Sequence, residues 1–343
     1  MKGLSFFGKA IFFVNSVFAI LLVFGYVLPY IPPHIFPKLS VLSLLLPVLL
    51  LINTVFLLYW VLRGKRQLFL SAFVLIIGIS HISSLYSFGS DVDITNKDGL
   101  KLISYNVRSF NINGWSKQEN IGDHILDFLT KKNPDIICLQ EYNATFKLPP
   151  EQYPYYYKKM IGDTDRFGQI IYSKYPIIHT GSLDFKKTGN NVMYADIVIK
   201  EDTIRVYNIH FQSLRVSSKF NTLKDEDSKR LLGRIGEAFK KQEEQVMAFL
   251  ESEKESPYPV IAAGDFNNSS TSYMYRKAKG KKQDAYEKVG SGTGRTFTFD
   301  FIPLRIDFIL ADPKFEILQF TNHDIKLSDH YPIESVINKN FKF

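Results

Sequence analysis

The chain has 343 residues, 45% of them hydrophobic, and a formal net charge of +8, which allows one or two domains and a large core. Six of its 42 basic residues and none of its 34 acidic ones fall in the first ninety positions, so the remainder carries 36 basic against 34 acidic residues. That near-neutrality excludes a strongly basic nucleic-acid footprint in bulk charge. A single cysteine, Cys138, excludes an intrachain disulfide, and its apolar neighbours read as a small buried side chain.

Three apolar stretches fill residues 1–90, at about 6–28, 39–62 and 68–88. Each matches the roughly 20 residues that a helix needs to cross a bilayer. Pro29, Pro32, Pro33 and Pro37 separate the first two, and Arg63-Gly64-Lys65-Arg66 separates the last two. Pro47 and Asn53 lie inside the second, where neighbouring helices absorb a kink. A cleaved signal peptide would explain only the first stretch, and a soluble helical core would need charged outer faces. The expectation is a membrane anchor of three transmembrane helices. Lys2 and Lys9 flank the N-terminus, and Arg63, Lys65 and Arg66 mark the second loop. Basic residues stay inside. The N-terminus is therefore expected in the cytoplasm, and everything after the third span on the extracytoplasmic side of the cytoplasmic membrane. A polar linker is expected at 91–99 and a second domain at 100–343.

In that domain, residues 100–107 alternate as a strand ending near Asn106. A short amphipathic helix is expected at 124–132, stopped by Asn133-Pro134. Residues 135–141 form a buried strand ending in Gln140 and Glu141. The aromatic run 153–157 reads as a turn, and 167–173 as a strand. Residues 193–199 and 203–210 make an antiparallel pair whose second member carries Asn208 and His210 on one face. A long helix of mixed charge covers 227–250.

Val260-Ile261-Ala262-Ala263 is a short apolar run of the kind found in fully buried strands. Asp265 and Asn267 follow it, two apart and so on one side of an extended backbone, with Phe266 turned to the core. A carboxylate beside a carboxamide suits a hard cation, a water and a phosphate oxygen, and equally suits an Asx turn. Residues 290–294 form a flexible Gly/Ser/Thr turn without Walker spacing. Residues 305–310 form a strand carrying Asp307 between apolar neighbours, and Ser328-Asp329-His330-Tyr331-Pro332-Ile333 precedes a last strand at 334–337.

Polar groups thus end otherwise apolar strands: Asn106, Glu141, His210, Asp265 with Asn267, Asp307, and Asp329 with His330. Each alone has an ordinary explanation as a cap, an edge residue or a turn. Together they supply oxygen ligands for a divalent ion, a base for water and donors for a phosphate. The segments S-Y-N-V, L-Q-E, N-I-H-F, G-D-F-N, R-I-D-F-I-L and S-D-H-Y-P-I resemble, in order, those of the endonuclease/exonuclease/phosphatase superfamily, which includes deoxyribonucleases, apurinic-site endonucleases, inositol polyphosphate 5-phosphatases and neutral sphingomyelinases. The resemblance covers about residues 98–340.

It implies an α/β fold, a four-layer α/β sandwich of two facing mixed sheets with the site at their rim. It implies Mg²⁺ or Mn²⁺ bound by Asn106 and Glu141 with Asp329 beside it. Asp265 and Asn267 would place the attacking water and hold a phosphate oxygen. Asp307 would orient His330 as base or transition-state donor, and His210 would bind the phosphate or assist the leaving group. The implied activity is hydrolysis of a phosphoester: nucleic acid, a phospholipid or sphingolipid head group, or a phosphomonoester. The alternatives are a catalytically silent binding module and a membrane-complex subunit that retains the fold.

Overall fold

The computed structural model describes residues 4–89, 99–162, 166–216, 227–299 and 302–339. The expected linker, apart from Gly99, lies outside the described residues.

Helix α1, Phe6–Val27, continues through a 3₁₀ turn to Tyr30. A second helical run, Pro37–Leu62, contains helix α2 at Leu46–Leu62. Both are long and apolar enough to cross a membrane. The third stretch divides into α3, Leu68–Ile77, and α4, Ile79–Leu85, with a 68° bend between them. The bend falls at Gly78, where a Cβ would stand 1.9 Å from the Tyr26 hydroxyl. As one bent span, the pair supplies the third crossing. Polar side chains join the segments. Asn15 donates to Ser71 Oγ at 2.9 Å and accepts from Trp60 Nε1 at 2.9 Å, so one residue of α1 touches α2 and α3. Phe13, Ile20, Leu51 and Phe73 point outward and are exposed, as lipid-facing side chains are.

The second domain contains two six-stranded mixed sheets. In chain order the strands and helices are β1 (Gly99–Asn106), α5 (Ile121–Lys132), β2 (Ile136–Asn143), β3 (Tyr155–Ile161), β4 (Phe167–Ser173), β5 (Ile177–Ser182), β6 (Asn191–Ile199), β7 (Asp202–His210), α6 (Ser228–Lys254), β8 (Val260–Asp265), α7 (Tyr273–Lys279), β9 (Gln283–Asp284), α8 (Ala285–Val289), β10 (Asp307–Ala311), β11 (Ile317–Asn322) and β12 (Ile333–Asn338). The first sheet runs β11-β12-β1-β2-β4-β3 and the second β9-β10-β8-β7-β6-β5. Each centres on one parallel pair, β1 with β2 and β7 with β8, and all other pairings are antiparallel.

Both faces of the central strands are covered, which is why they read as continuous apolar runs. Leu102, Ile136, Cys138, Val206, Ile261, Ala263 and Ile309 meet between the sheets. Their chain neighbours Ile103, Ile137 and Leu139 pack outward on Ile121, Ile125 and Leu129 of α5. On the second sheet Tyr207, Ala262, Phe308 and Leu310 pack on Val246 and Phe249 of α6 and on Tyr275 of α7. Period-2 alternation therefore produces helix, sheet, sheet, helix, the four layers expected. The aromatic run expected as a turn at 153–157 instead enters edge strand β3, where Tyr155 and Tyr156 are exposed.

The membrane helices dock on this domain. His34 N and Nδ1 both lie 2.8 Å from the Glu243 carboxylate on α6. Arg276 Nε donates to Pro29 O at 2.7 Å, and its guanidinium lies over the Tyr30 ring. Thr271 Oγ1 donates to Ser43 O, and Ser270 Oγ and Arg305 Nη2 both donate to Ser84 O. The start of the second run and the end of the bent pair thus meet neighbouring residues of one loop.

Candidate active site

Inward-facing positions alternate along each strand, and the candidate residues occupy the last of them. Leu102, Ser104 and Asn106 face inward on β1, Val206, Asn208 and His210 on β7, and Ile261, Ala263 and Asp265 on β8. In the ladder His210 pairs with Asp265, and Asp265 with Asp307, so three site residues stand abreast. Gly264 makes that row possible: its φ is +151°, and a Cβ would lie 2.0 Å from Ile209 O. Beneath the row sits a polar belt. Asn208 Nδ2 donates to Leu139 O and Ile170 O at 2.9 Å each, and its Oδ1 accepts from Gln140 Nε2 at 2.8 Å and Gln169 Nε2 at 3.2 Å. Asn208, expected to share a face with His210, therefore ties the sheets together while His210 reaches the rim.

Asp265 is fully enclosed. Its Oδ2 accepts from Asn106 Nδ2 at 3.0 Å and Asn267 Nδ2 at 3.1 Å, and its Oδ1 accepts from Asn267 N at 2.7 Å. Asn267 is left-handed, with φ 51°, so the carboxamide stands beside the carboxylate through an Asx turn. The Asx-turn reading of this segment is the one the backbone takes, and Phe266 is buried as expected. His330 Nδ1 lies 2.9 Å from Asp307 Oδ2, and its Nε2 lies 3.7 Å from Asp265 Oδ2. His210 Nε2 is 3.7 Å from the same Asp265 oxygen and 3.9 Å from Glu141 Oε1. One carboxylate oxygen thus faces two imidazoles.

Glu141 arrives differently. The β2–β4 register shifts between Leu139 and Tyr142, and Glu141 takes φ 51°. A bulge of this kind re-aims one side chain, and here it turns the carboxylate to the rim, 3.3 Å from Asn106 Nδ2. The Glu141 side chain is 40% exposed, against 1% for Asp265. Asp329 is held by Arg108, Nη1 to Oδ2 2.7 Å, rather than by the buried row. Ser328 Oγ donates to Asn106 O at 2.8 Å and fixes the loop that carries Asp329 and His330. Arg108 was not singled out in the sequence. Its only signal there is its place two residues after Asn106.

The charges are unbalanced in a way that favours a cation. Burial pushes the Asp265 carboxyl up to about 7, although the charge on His330 pulls the other way. Burial also raises Glu141 against the same opposing charge. Burial opposes charge on His330, but the Asp307 and Asp265 carboxylates outweigh it and hold the pKa well above the ordinary imidazole value. His210 is driven down to about 3, by burial and then by the charge on His330. One imidazole is thus favoured as cation and its neighbour as neutral base.

Asp265, Asp307 and His330 each offer an atom within 4.8 Å of the others, a spacing that can hold a metal ion. A divalent phosphoesterase site in this cluster is chemically plausible. Glu141 with Asn106 is the more open alternative, with room at the rim for a hydrated ion. Asn106 now turns its amide nitrogen to both carboxylates, while its Oδ1 accepts from Arg108 N at 3.1 Å.

The comparisons with known proteins agree with this architecture. Residues 103–330 match the profile of the endonuclease/exonuclease/phosphatase family, and the chain belongs to that family. Residues 8–85 match a profile described as a domain of unknown function. A DNA-(apurinic or apyrimidinic site) endonuclease of Dictyostelium discoideum is 22% identical over 277 residues, covering 70% of this chain and 71% of that one. A humanised D. rerio TDP2 superposes with a TM-score of 0.54 at 18% identity, over 71% of this chain and 100% of its own. An endonuclease/exonuclease/phosphatase from Bacteroides vulgatus superposes with a TM-score of 0.54 at 18% identity, over 70% of this chain and 99% of its own. At these identities the solved structures speak for the fold.

Proposed function

We propose that the chain is a membrane-anchored, Mg²⁺- or Mn²⁺-dependent hydrolase of a phosphodiester, with its catalytic domain outside the cytoplasmic membrane. The observation that carries this is the convergence of His210, Asp265, Asn267, Asp307 and His330 on one rim, with Glu141 and Asn106 beside them. In hydrolysis the water oxygen bonds to phosphorus, one P–O ester bond breaks, and the departing oxygen receives a proton. Asp265, its pKa raised by burial, orients and deprotonates the water, with Asn267 fixing its carboxylate. His330, held by Asp307, donates from Nε2 to the phosphate as charge develops. His210, neutral, lies across the same oxygen, in place to relay the proton that Asp265 takes from the water to the leaving group. Glu141 and Asn106 would hold the divalent ion, with Asp329 near it. That ion supplies Lewis-acid stabilisation of the phosphoryl charge.

The outward location rests on the basic residues at Arg63, Lys65 and Arg66, opposite the end on which the catalytic domain docks. The test is hydrolysis of bis-p-nitrophenyl phosphate by the purified full chain. Turnover should require Mg²⁺ or Mn²⁺, stop with EDTA, and fall in His330→Ala. A silent binding module would bind ligand and turn nothing over. A reporter fused after Phe343 should behave as exported, and cytoplasmic activity would reverse the orientation.

A further inference from the structure

The sandwich has two edges across its strands, and the membrane helices meet only one of them among the described contacts. Strands β7 and β8 run in parallel and end at His210 and Asp265, and β10 begins beside them at Asp307. All these ends lie on the catalytic edge. Among the described residues, those that hydrogen-bond to the membrane segments include Glu243 on α6, Ser270 and Thr271 after β8, Arg276 on α7, Tyr286, and Arg305 just before β10, and the first half of α6 packs Ile235 and Phe239 on Val41. Ser270 is three residues from Asn267, and Arg305 is two from Asp307. The opposite edge, with the Lys200–Glu201 turn, Tyr258 and Asp312, lies at the other end of these strands. The rim that carries the site is therefore the rim held against the outer ends of the spans.

The docking also converges on one carbonyl. Ser84 O accepts from Arg305 at 2.8 Å and from Ser270 Oγ at 3.2 Å, so one carbonyl at the end of α4 ties the segments on both sides of the catalytic row. Arg305 is itself locked by Asp284 at 2.6 Å. Beyond the bent pair, Ser87 and Phe88 pair with Gly292 and Ser291 as a short ribbon. From that ribbon a groove of about 410 Å³ leads past Arg295 and Thr298 to Tyr331, the neighbour of His330. On the far side of the site, the first sheet contributes a free lip. After Asn106 the backbone makes four successive left-handed residues, Arg108 to Asn111, and presents Ile112, 49% exposed, at the same edge. On this left-handed stretch of backbone Ile112 leaves about half of its apolar side chain uncovered.

Resting on the phosphodiesterase reading above, we infer that the substrate is a phosphodiester borne by a lipid of the bilayer in which the chain is anchored. Its phosphate reaches the rim while its apolar part stays in the membrane, between the docked loops and the Ile112 lip. A nucleic acid would have to enter between this edge and the bilayer, against a soluble part whose charge is nearly balanced.

The test uses the full chain in vesicles of phosphatidylcholine, phosphatidylethanolamine, phosphatidylglycerol and sphingomyelin. Head-group release is measured beside turnover of bis-p-nitrophenyl phosphate and of single-stranded and plasmid DNA. The expected result is turnover of a vesicle lipid faster than of either DNA. Ile112→Glu should then lower lipid turnover about five-fold and leave bis-p-nitrophenyl phosphate unchanged, the loss expected from one half-buried isoleucine. Turnover of the soluble diester with none of the four lipids, or faster cleavage of DNA, overturns the lipid assignment and leaves the hydrolase standing. No turnover of anything removes both. A second measurement is independent of activity. A fluorophore on Ile112→Cys should be quenched by brominated lipid, and one on Glu201→Cys at the opposite edge should not; Cys138 is buried and stays unlabelled. Absence of quenching at position 112 overturns the inference.

Discussion

The two sheets share a plan and finish it differently. Each is built round one parallel pair, and each brings side chains to the same rim. The second sheet ends in strict register, with His210, Asp265 and Asp307 side by side and buried. The first ends in a bulge at Glu141 and a left-handed run from Arg108, and its carboxylates at Glu141 and Asp329 stay partly open. Proton chemistry gains from a dry, fixed setting, because desolvation moves the pKa values of the groups it uses. A hydrated cation and an incoming substrate need space. Regular pairing on one side and broken pairing on the other supply the two conditions within a few ångströms.

The sharpest way to break this contrast is on the dry side. His330→Ala removes the imidazole while Asp307, Asp265 and the ladder remain. Turnover of bis-p-nitrophenyl phosphate should fall about 10²–10⁴-fold, with KM little changed, as for loss of a positioned acid–base group. An unchanged kcat in a folded protein would remove His330 from the reaction.

The next effect is on stability. Arg305 and Asp284 form a buried ion pair, with Tyr275 Oη also donating to Asp284 and Ser84 O accepting from Arg305 Nη2. Arg305→Leu strands the Asp284 charge and should cost about 3–5 kcal/mol, read as a lowered thermal midpoint of the detergent-solubilised chain. Adding Asp284→Asn should recover part of that loss, since the two sites are coupled. In the polar belt between the sheets, Asn208→Leu removes one acceptor from Gln140 and Gln169 and the donor to two carbonyls, and should cost about 1–3 kcal/mol by the same assay.

What could be read from the residues follows the same contrast between covered and open surface. All eight interior strands are visible as apolar runs, from 100–107 to 334–337, because both of their faces are packed. The strands of the two large sheets that the sequence does not announce, β3, β5, β9 and β11, are the four edges of those sheets, and the short ribbon of 87–88 with 291–292 falls where a flexible turn is expected at 290–294. At the edges one face meets water, and residues such as Lys158, His179 and Gln319 dilute the pattern. The site residues were legible because charged and amide groups at the ends of apolar strands are conspicuous. Arg108 was not, because nothing in a lone arginine after Asn106-Val107 announces a backbone that turns left-handed and brings it to Asp329. The docking of the anchor was equally hidden. It uses backbone carbonyls of Pro29, Ser43 and Ser84, which have no sequence signature.

The smallest expected effect tests the open side. Glu141→Gln keeps the shape and the Asn106 contact but removes one negative charge from the rim. If Glu141 is the main charged ligand, the Mg²⁺ concentration for half-maximal turnover should rise about ten-fold, equivalent to roughly 1.4 kcal/mol, and saturating Mg²⁺ should restore most of the rate. The buried cluster makes the opposite prediction. Were the ion held by Asp265, Asp307 and His330, Glu141→Gln would leave the Mg²⁺ titration in place, and Asp307→Asn would shift it instead. Comparing the two titrations therefore assigns the cation to one side of the rim. It also decides whether His330 Nε2 stays free to donate to the phosphate while Nδ1 keeps its 2.9 Å hydrogen bond to Asp307, since a ring nitrogen that ligates the ion cannot also carry a proton.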